Sequence, residues 1–316
     1  MKIMAPKFFT LKHIELFLSD VSVYLENKID NESDFILDVS KVKEICLLGQ
    51  LLLYKFISYT VDNHCFENPK ISGIGNEVLK EQLGRSGFWE LIDTYVKKPN
   101  DKRAIVKSYN NLKIVNENDF LIAPHKLLRD DSDIQKLESE YLNKILTFYN
   151  NTLKAHTICF CIAELFSNFW SHATSDSGTV MVAKGNHNNI EICFADTGEG
   201  IINSFRNSDN KYAKESKQQL MRMALAKNVT SKPNTNHLGL GLYMINSIVS
   251  KSSQNIFRIY SDTERYLYDN KNRGVYKSIS YWQGTITYLR LNIENLLSLD
   301  KIPELRTPTF DKIQWS

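Results

Sequence analysis

The chain has 316 residues, 42% of them apolar and 24% charged, with a formal net charge of +3. These values fit a globular protein of two domains, and so small a positive charge gives no strong case for a nucleic-acid partner or an anionic membrane surface. No apolar stretch is long enough to span a bilayer, and Met1 to Pro6 leads into alternating apolar and polar residues rather than a signal core, so the expectation is a cytoplasmic protein.

Periodicity predicts a first segment of helix, strand, helix, strand, helix. Leu11 to Ile29 carries Ile14, Phe17, Leu18, Val21 and Leu25 at helical spacing. Phe35 to Val39 is a short apolar run of the kind found in buried strands. Cys46 to Tyr59 reads as a strongly apolar helix, Lys70 to Gly73 as a strand turning at Gly75, and Glu77 to Tyr95 as a helix containing Gly84 and Gly87. Residues 97–130 are polar and irregular, with Pro99, Pro124, an Asn-rich stretch at 109–118, and a basic run from Lys97 to Arg103 that reads as a solvated loop. The expected organisation is a small α/β domain over 1–110, a linker over 111–130 and a second domain over 131–316.

Past the linker, 133–149 and Leu153 to Ala173 read as helices, and Thr179–Ala183, Ile190–Ala195, Ile256–Tyr260 and Thr285–Leu291 as strands. A further helix opens at Gly239 and runs to Val249, and a Tyr-rich stretch, about 261–284, reads as an added hairpin. Cys46, Cys65, Cys159, Cys161 and Cys193 form no CxxC pair and read as core thiols rather than metal ligands.

Three short motifs in the second half carry chemistry. Glu164 and Asn168 lie four apart on one helix and project onto one spot, with His172 and Cys161 near the same stripe. An Asn carbonyl is a hard oxygen ligand suited to Mg²⁺, and a carboxylate one turn earlier can deprotonate a water or hydroxyl attacking a phosphate. Asp196-Thr-Gly198-Glu-Gly200 follows a strand, where a carboxylate can accept from a purine amine and glycines let the backbone approach the ring. Gly239-Leu240-Gly241-Leu242-Tyr243 opens a helix, and backbone N–H groups there suit phosphate oxygens. Taken singly, each also fits a plain role: polar positions on an amphipathic helix, or an ordinary Asp-Gly turn.

In this order the three motifs resemble the GHKL superfamily of ATP-binding proteins, which includes type II topoisomerase ATPase domains, the large heat-shock chaperone, mismatch-repair ATPases, histidine kinases and anti-sigma serine kinases. The resemblance implies an α/β sandwich, a mixed sheet with helices on one face, that binds ATP and Mg²⁺. It makes Asn168 the magnesium ligand, Glu164 the catalytic base and Asp196 the adenine acceptor. The polar segment Asn228 to His237 resembles the end of an ATP lid, placed at about 203–238, in which Thr230, Lys232 and His237 are candidates to touch the phosphates or remain solvated. Thr285, after Gly284, matches a threonine that reaches adenine in the family. Residues 1–110 loosely resemble the STAS fold, but Leu47 and Leu48 precede Gly49 where phosphorylatable STAS proteins have a hydroxyl.

Among the GHKL activities, histidine autophosphorylation requires an acceptor His followed by an acidic residue, and His13, His64, His125 and His156 are followed by Ile, Cys, Lys and Thr. The topoisomerase and mismatch-repair pattern needs a lysine on a later domain, whereas this ATP fold is expected to end near Asn295. The motif around Glu164 is most similar to anti-sigma serine kinases and stand-alone bacterial relatives. That implies a nucleotide-gated regulatory ATPase, a protein serine/threonine kinase, or a non-hydrolysing ATP-binding module. The implied partners are a STAS-like protein, an adjacent effector as in anti-phage systems, or a second copy of the chain.

Overall fold

The computed structural model describes residues 2–26, 35–62, 69–73, 75–89, 91–92, 118–127, 141–172, 179–231 and 239–302. The chain is α/β, with both parallel and antiparallel pairing. In the N-terminal part, β1 (Lys2–Met4), β3 (Phe35–Asp38) and β5 (Pro69–Ser72) form a parallel three-stranded sheet. A second, shorter parallel pair joins β2 (Phe8–Phe9) to β4 (Glu44–Ile45). Strand β1 was not expected from the sequence, because three residues are too few to show a period. It is tied to β3 by Lys2 Nζ, 2.6 Å from Asp38 Oδ2. The Ser40 amide and hydroxyl also donate to Asp38, and these partners together hold its carboxyl well below the usual carboxylate range.

Helix α1 (Ile14–Glu26) buries Ile14, Phe17, Leu18, Val21 and Leu25 along one face. Helix α2 (Leu47–Asp62) is buried all round from Leu47 to Ser58, as befits an element lying between layers. Helix α3 (Glu77–Arg85) starts where the Asn76 side chain accepts from the Val78 and Leu79 amides. It is interrupted after Arg85, where the chain turns at Gly87 with φ +79°, and helical residues resume at Phe88, Trp89, Leu91 and Ile92, while Tyr95 lies outside the described residues.

The second half is built on a five-stranded sheet ordered β6-β7-β8-β10-β9: β6 (Asp119–Leu127), β7 (Thr179–Asn186), β8 (Asn189–Ala195), β9 (Ile256–Tyr268) and β10 (Arg273–Asn292). Every neighbouring pair is antiparallel, which corrects the expected mixed sheet. Strand β6 lies within the stretch expected to be a linker. Pro124, which made that stretch read as a loop, falls at an irregularity between Ile122 and His125 on an edge strand, where a residue lacking an N–H is tolerated.

One sheet face carries α4 (Asn143–Phe148), α5 (Leu153–His172), α6 (Gly200–Ser208), α7 (Lys217–Ala224) and α8 (Gly241–Val249). The opposite face, expected to be bare of helices, is covered by the N-terminal part. Val180, Val182, Cys193, Ala195, Tyr260, Trp282, Ile286 and Tyr288 share one core with residues of α1 and α2. The two regions are thus stacked layers around a common sheet. Neither contribution to that shared core is visible in a local window of the sequence.

Strands β9 and β10 continue beyond the sheet as a hairpin. Its turn is held by Asp269, whose Oδ1 accepts from the Lys271 and Asn272 amides. The hairpin grips the helices beside it: Tyr266 donates to Asn246 on α8, Arg222 on α7 lies 4.2 Å from the Tyr276 ring centroid, and Lys217 reaches Asp262 at 2.5 Å. Cys159, Cys161 and Cys193 are buried free thiols, and burial pushes Cys159 up to about 12. Among the described residues, no group of three or more His, Cys, Asp or Glu is arranged to hold a metal, and no helix is long and apolar enough to cross a membrane.

Candidate functional site

A cavity of about 340 Å³ lies between the sheet and helices α5, α6 and α8. Helix α5 brings Glu164 and Asn168 to its wall from consecutive turns. Helix α8 begins directly against this pair. A Cβ added to Gly241 would sit 2.4 Å from Glu164 Oε2 and 3.6 Å from Asn168 Nδ2, so any larger residue there would displace the Glu164 carboxylate. Asn168 Nδ2 is buried and has no hydrogen-bond partner. Burial raises the Glu164 pKa, since a carboxylate loses hydration there.

Asp196 stands at the end of β8, and backbone bonds fix its orientation. Its Oδ1 accepts from the Gly198 amide at 2.9 Å and the Thr285 amide at 3.2 Å, while its own amide donates to the Thr285 carbonyl at 2.9 Å. Gly284, with φ +91°, makes room for it: a Cβ there would lie 2.4 Å from the Asp196 carbonyl oxygen and 2.5 Å from Oδ1. On the other side of this loop, Ser261 accepts from the Ile201 amide at 2.9 Å and donates to the Gly284 carbonyl at 2.8 Å, stapling the start of α6 to β10.

The same loop is also tied to the N-terminal layer. Trp282 Nε1 donates to the Asp196 carbonyl at 3.0 Å, and Gln283 Nε2 donates to the Thr197 carbonyl at 3.0 Å. Gln283 Oε1 in turn accepts from Tyr59 on α2 at 2.9 Å.

The remaining expected residues converge unevenly. Gly200, Thr230 and Thr285 line the cavity, as do Gly239, Leu240, Gly241 and Leu242 at the start of α8. Gly198 acts through its amide on Asp196 and is not part of the cavity wall. His237 and Lys232 lie outside the described residues. Within the stretch expected to be a lid, 203–238, α6 buries Phe205 and α7 buries Leu220 and Met221, and 232–238 lie outside the described residues. Gly239, with φ +66°, presses on Val229, whose carbonyl oxygen would lie 2.4 Å from an added Cβ, and Ser231 Oγ is 2.8 Å from Ser204 Oγ.

Sequence reading missed Ser261, Thr179 and Thr287. Thr179 and Thr287 line the cavity beside the expected residues. In a strand, threonine is an ordinary β-former, so its type gives no warning. The available signal was register, because Thr285 and Thr287 must share a face.

The arrangement can hold a ligand with a hydrogen-bonding planar end near Asp196 and an anionic end near the start of α8. Comparison of the chain with known protein families, with characterised proteins and with solved structures finds no match.

Proposed function

We propose that this cavity binds ATP with Mg²⁺ and that the chain is a nucleotide-gated regulatory ATPase of GHKL type, carrying a STAS-like layer on its N-terminal side. The observation that carries this reading is convergence: Glu164 and Asn168, Asp196, and Gly239 to Gly241 come from separate elements and line one cavity. Its volume of about 340 Å³ lies within the range of small-molecule sites. The donor set also suits the metal. Mg²⁺ is commonly held by one or two protein oxygens with phosphates and waters completing its shell, and Asn168 on the cavity wall carries a carboxamide oxygen of that kind. When bound, the metal would supply neutralisation of charge on the phosphate oxygens.

The protein's own contributions follow from placement. Asp196, held by the Gly198 and Thr285 amides, is an acceptor for an exocyclic amine on the base. The start of α8, bare of a side chain at Gly241, presents backbone N–H groups for phosphate oxygens. Glu164 takes a proton from the attacking water. Its raised pKa brings it nearer the working pH, where a general base is most effective.

The test is calorimetry and phosphate release with Mg-ATP. Asp196→Asn loses ATP affinity, whereas Glu164→Ala still binds ATP and releases phosphate at least about a hundredfold more slowly. No heat at millimolar Mg-ATP would overturn the proposal. Transfer of a γ-phosphate label to a protein hydroxyl, rather than its appearance as free phosphate, would replace the ATPase with a serine/threonine kinase using the same Glu164.

A further inference from the structure

Thr179 is the first residue of β7, and its side chain is 1% exposed. Its hydroxyl oxygen is buried without any hydrogen-bond partner, an arrangement folded proteins seldom keep. The register of the sheet says where this hydroxyl lies. Val180 pairs with Ala195 and Ile286 pairs with Ala195 from the other side. Thr179, Asp196 and Thr285 therefore form one row across the start of β7, the end of β8 and the interior of β10, and all three line the cavity.

Thr285 commits its amide and carbonyl to Asp196. Thr179 is paired through its backbone with Leu127, and its hydroxyl alone is without a partner. Its hydroxyl can donate and accept, and it stands next to the carboxylate assigned to the amine of the base. We infer that Thr179 is a base-contacting, specificity-determining residue, whose hydroxyl pairs with a ring nitrogen of the purine bound at Asp196. This rests on the reading of the cavity as an adenine-nucleotide site. The alternative, a hydroxyl kept only for its shape in the strand, makes the opposite prediction when the oxygen is replaced by a methyl group.

Thr179→Val preserves that shape and removes the hydrogen-bonding atom, whereas Thr179→Ser keeps the atom. Titration calorimetry of wild type and both variants with Mg-ATP and Mg-ADP, with melting curves of the nucleotide-free proteins, decides the matter. Thr179→Val should bind both nucleotides about tenfold more weakly, by the same factor because they share the base. Thr179→Ser should stay within about twofold of wild type on the same scale. The free Thr179→Val protein should melt no lower than wild type, since the oxygen it loses has no partner.

Binding by Thr179→Val within twofold of wild type would overturn the inference while leaving the ATP site intact. So would an equal loss in the serine variant, or a lowered melting temperature accompanied by unchanged affinity. Failure of the wild type itself to bind either nucleotide would remove the ATP reading and this inference together.

Discussion

On β10, Ile286 and Tyr288 face the N-terminal layer and are closed off from solvent, whereas Thr285 and Thr287, one position away in each case, line the cavity on the opposite side. Strand β8 repeats the contrast, with Cys193 and Ala195 on the closed face and Phe194 and Asp196 at the cavity. The alternation of a strand thus splits one sequence between two tasks. The closed face is filled by large rings such as Trp282, Tyr260 and Tyr288 meeting aliphatic side chains of α1 and α2. The cavity face stays open because threonines, Asn168 and closely approaching glycines occupy places that bulky residues would fill. The helix-covered face is packed as well, with Met181, Ile192, Ile259 and Leu289 in a core of its own, and it alone of the two lines the cavity.

Four substitutions probe this division, the largest effect first. Trp282→Ala on the closed face should cost about 3–5 kcal/mol in urea unfolding, the usual range for deleting a buried tryptophan side chain. A loss below about 1 kcal/mol would mean the N-terminal layer contributes little to holding the sheet. Gly284→Ala should cost about 1–3 kcal/mol of stability, because it forces a side chain into the left-handed region. The same change should lower ATP affinity at least about tenfold, as its Cβ would collide with the Asp196 carbonyl and carboxylate. Normal affinity in that variant would detach Asp196 from the base.

Tyr59→Phe cuts the link from α2 to Gln283 without creating a cavity. It should cost about 0.5–1.5 kcal/mol in unfolding, with ATP affinity falling by about threefold or less. An undiminished affinity would confine the N-terminal layer to a purely supporting role.

The smallest effect concerns Glu164→Gln in the nucleotide-free protein, read by melting temperature across pH. Burial raises the Glu164 pKa in the folded state, so ionisation is what the fold penalises. Wild type therefore loses stability as pH rises towards and through that raised value, and the glutamine variant does not. The variant should melt higher than wild type at neutral and alkaline pH, and the gap should close once pH falls below the ordinary glutamate range. A gap independent of pH would assign the change to packing.

Much of the site was legible because its features are local. The four-residue spacing of Glu164 and Asn168 needs only helical geometry, and Gly241 is found by asking where a backbone must come close. The features that escaped notice depend on distant partners. Strand β1 is three residues long and owes its existence to β3, while β6 is a strand because β7 pairs with it despite Pro124. Thr179 stands out only once Val180 is known to lie opposite Ala195. The shared core of the closed face joins segments separated by more than a hundred residues, beyond the reach of any periodicity.

The burial of Trp282 beneath α1 and α2 has a practical corollary for anyone dividing the molecule. A shortened polypeptide begun at residue 131, where the linker was expected to end, would lack β6. It would also leave Val182, Ile286 and Tyr288 bare to water. Such a piece should self-associate, because an uncovered apolar sheet face seeks any available cover. The amino-terminal layer is a floor under the pocket, and the pocket cannot be lifted off it intact.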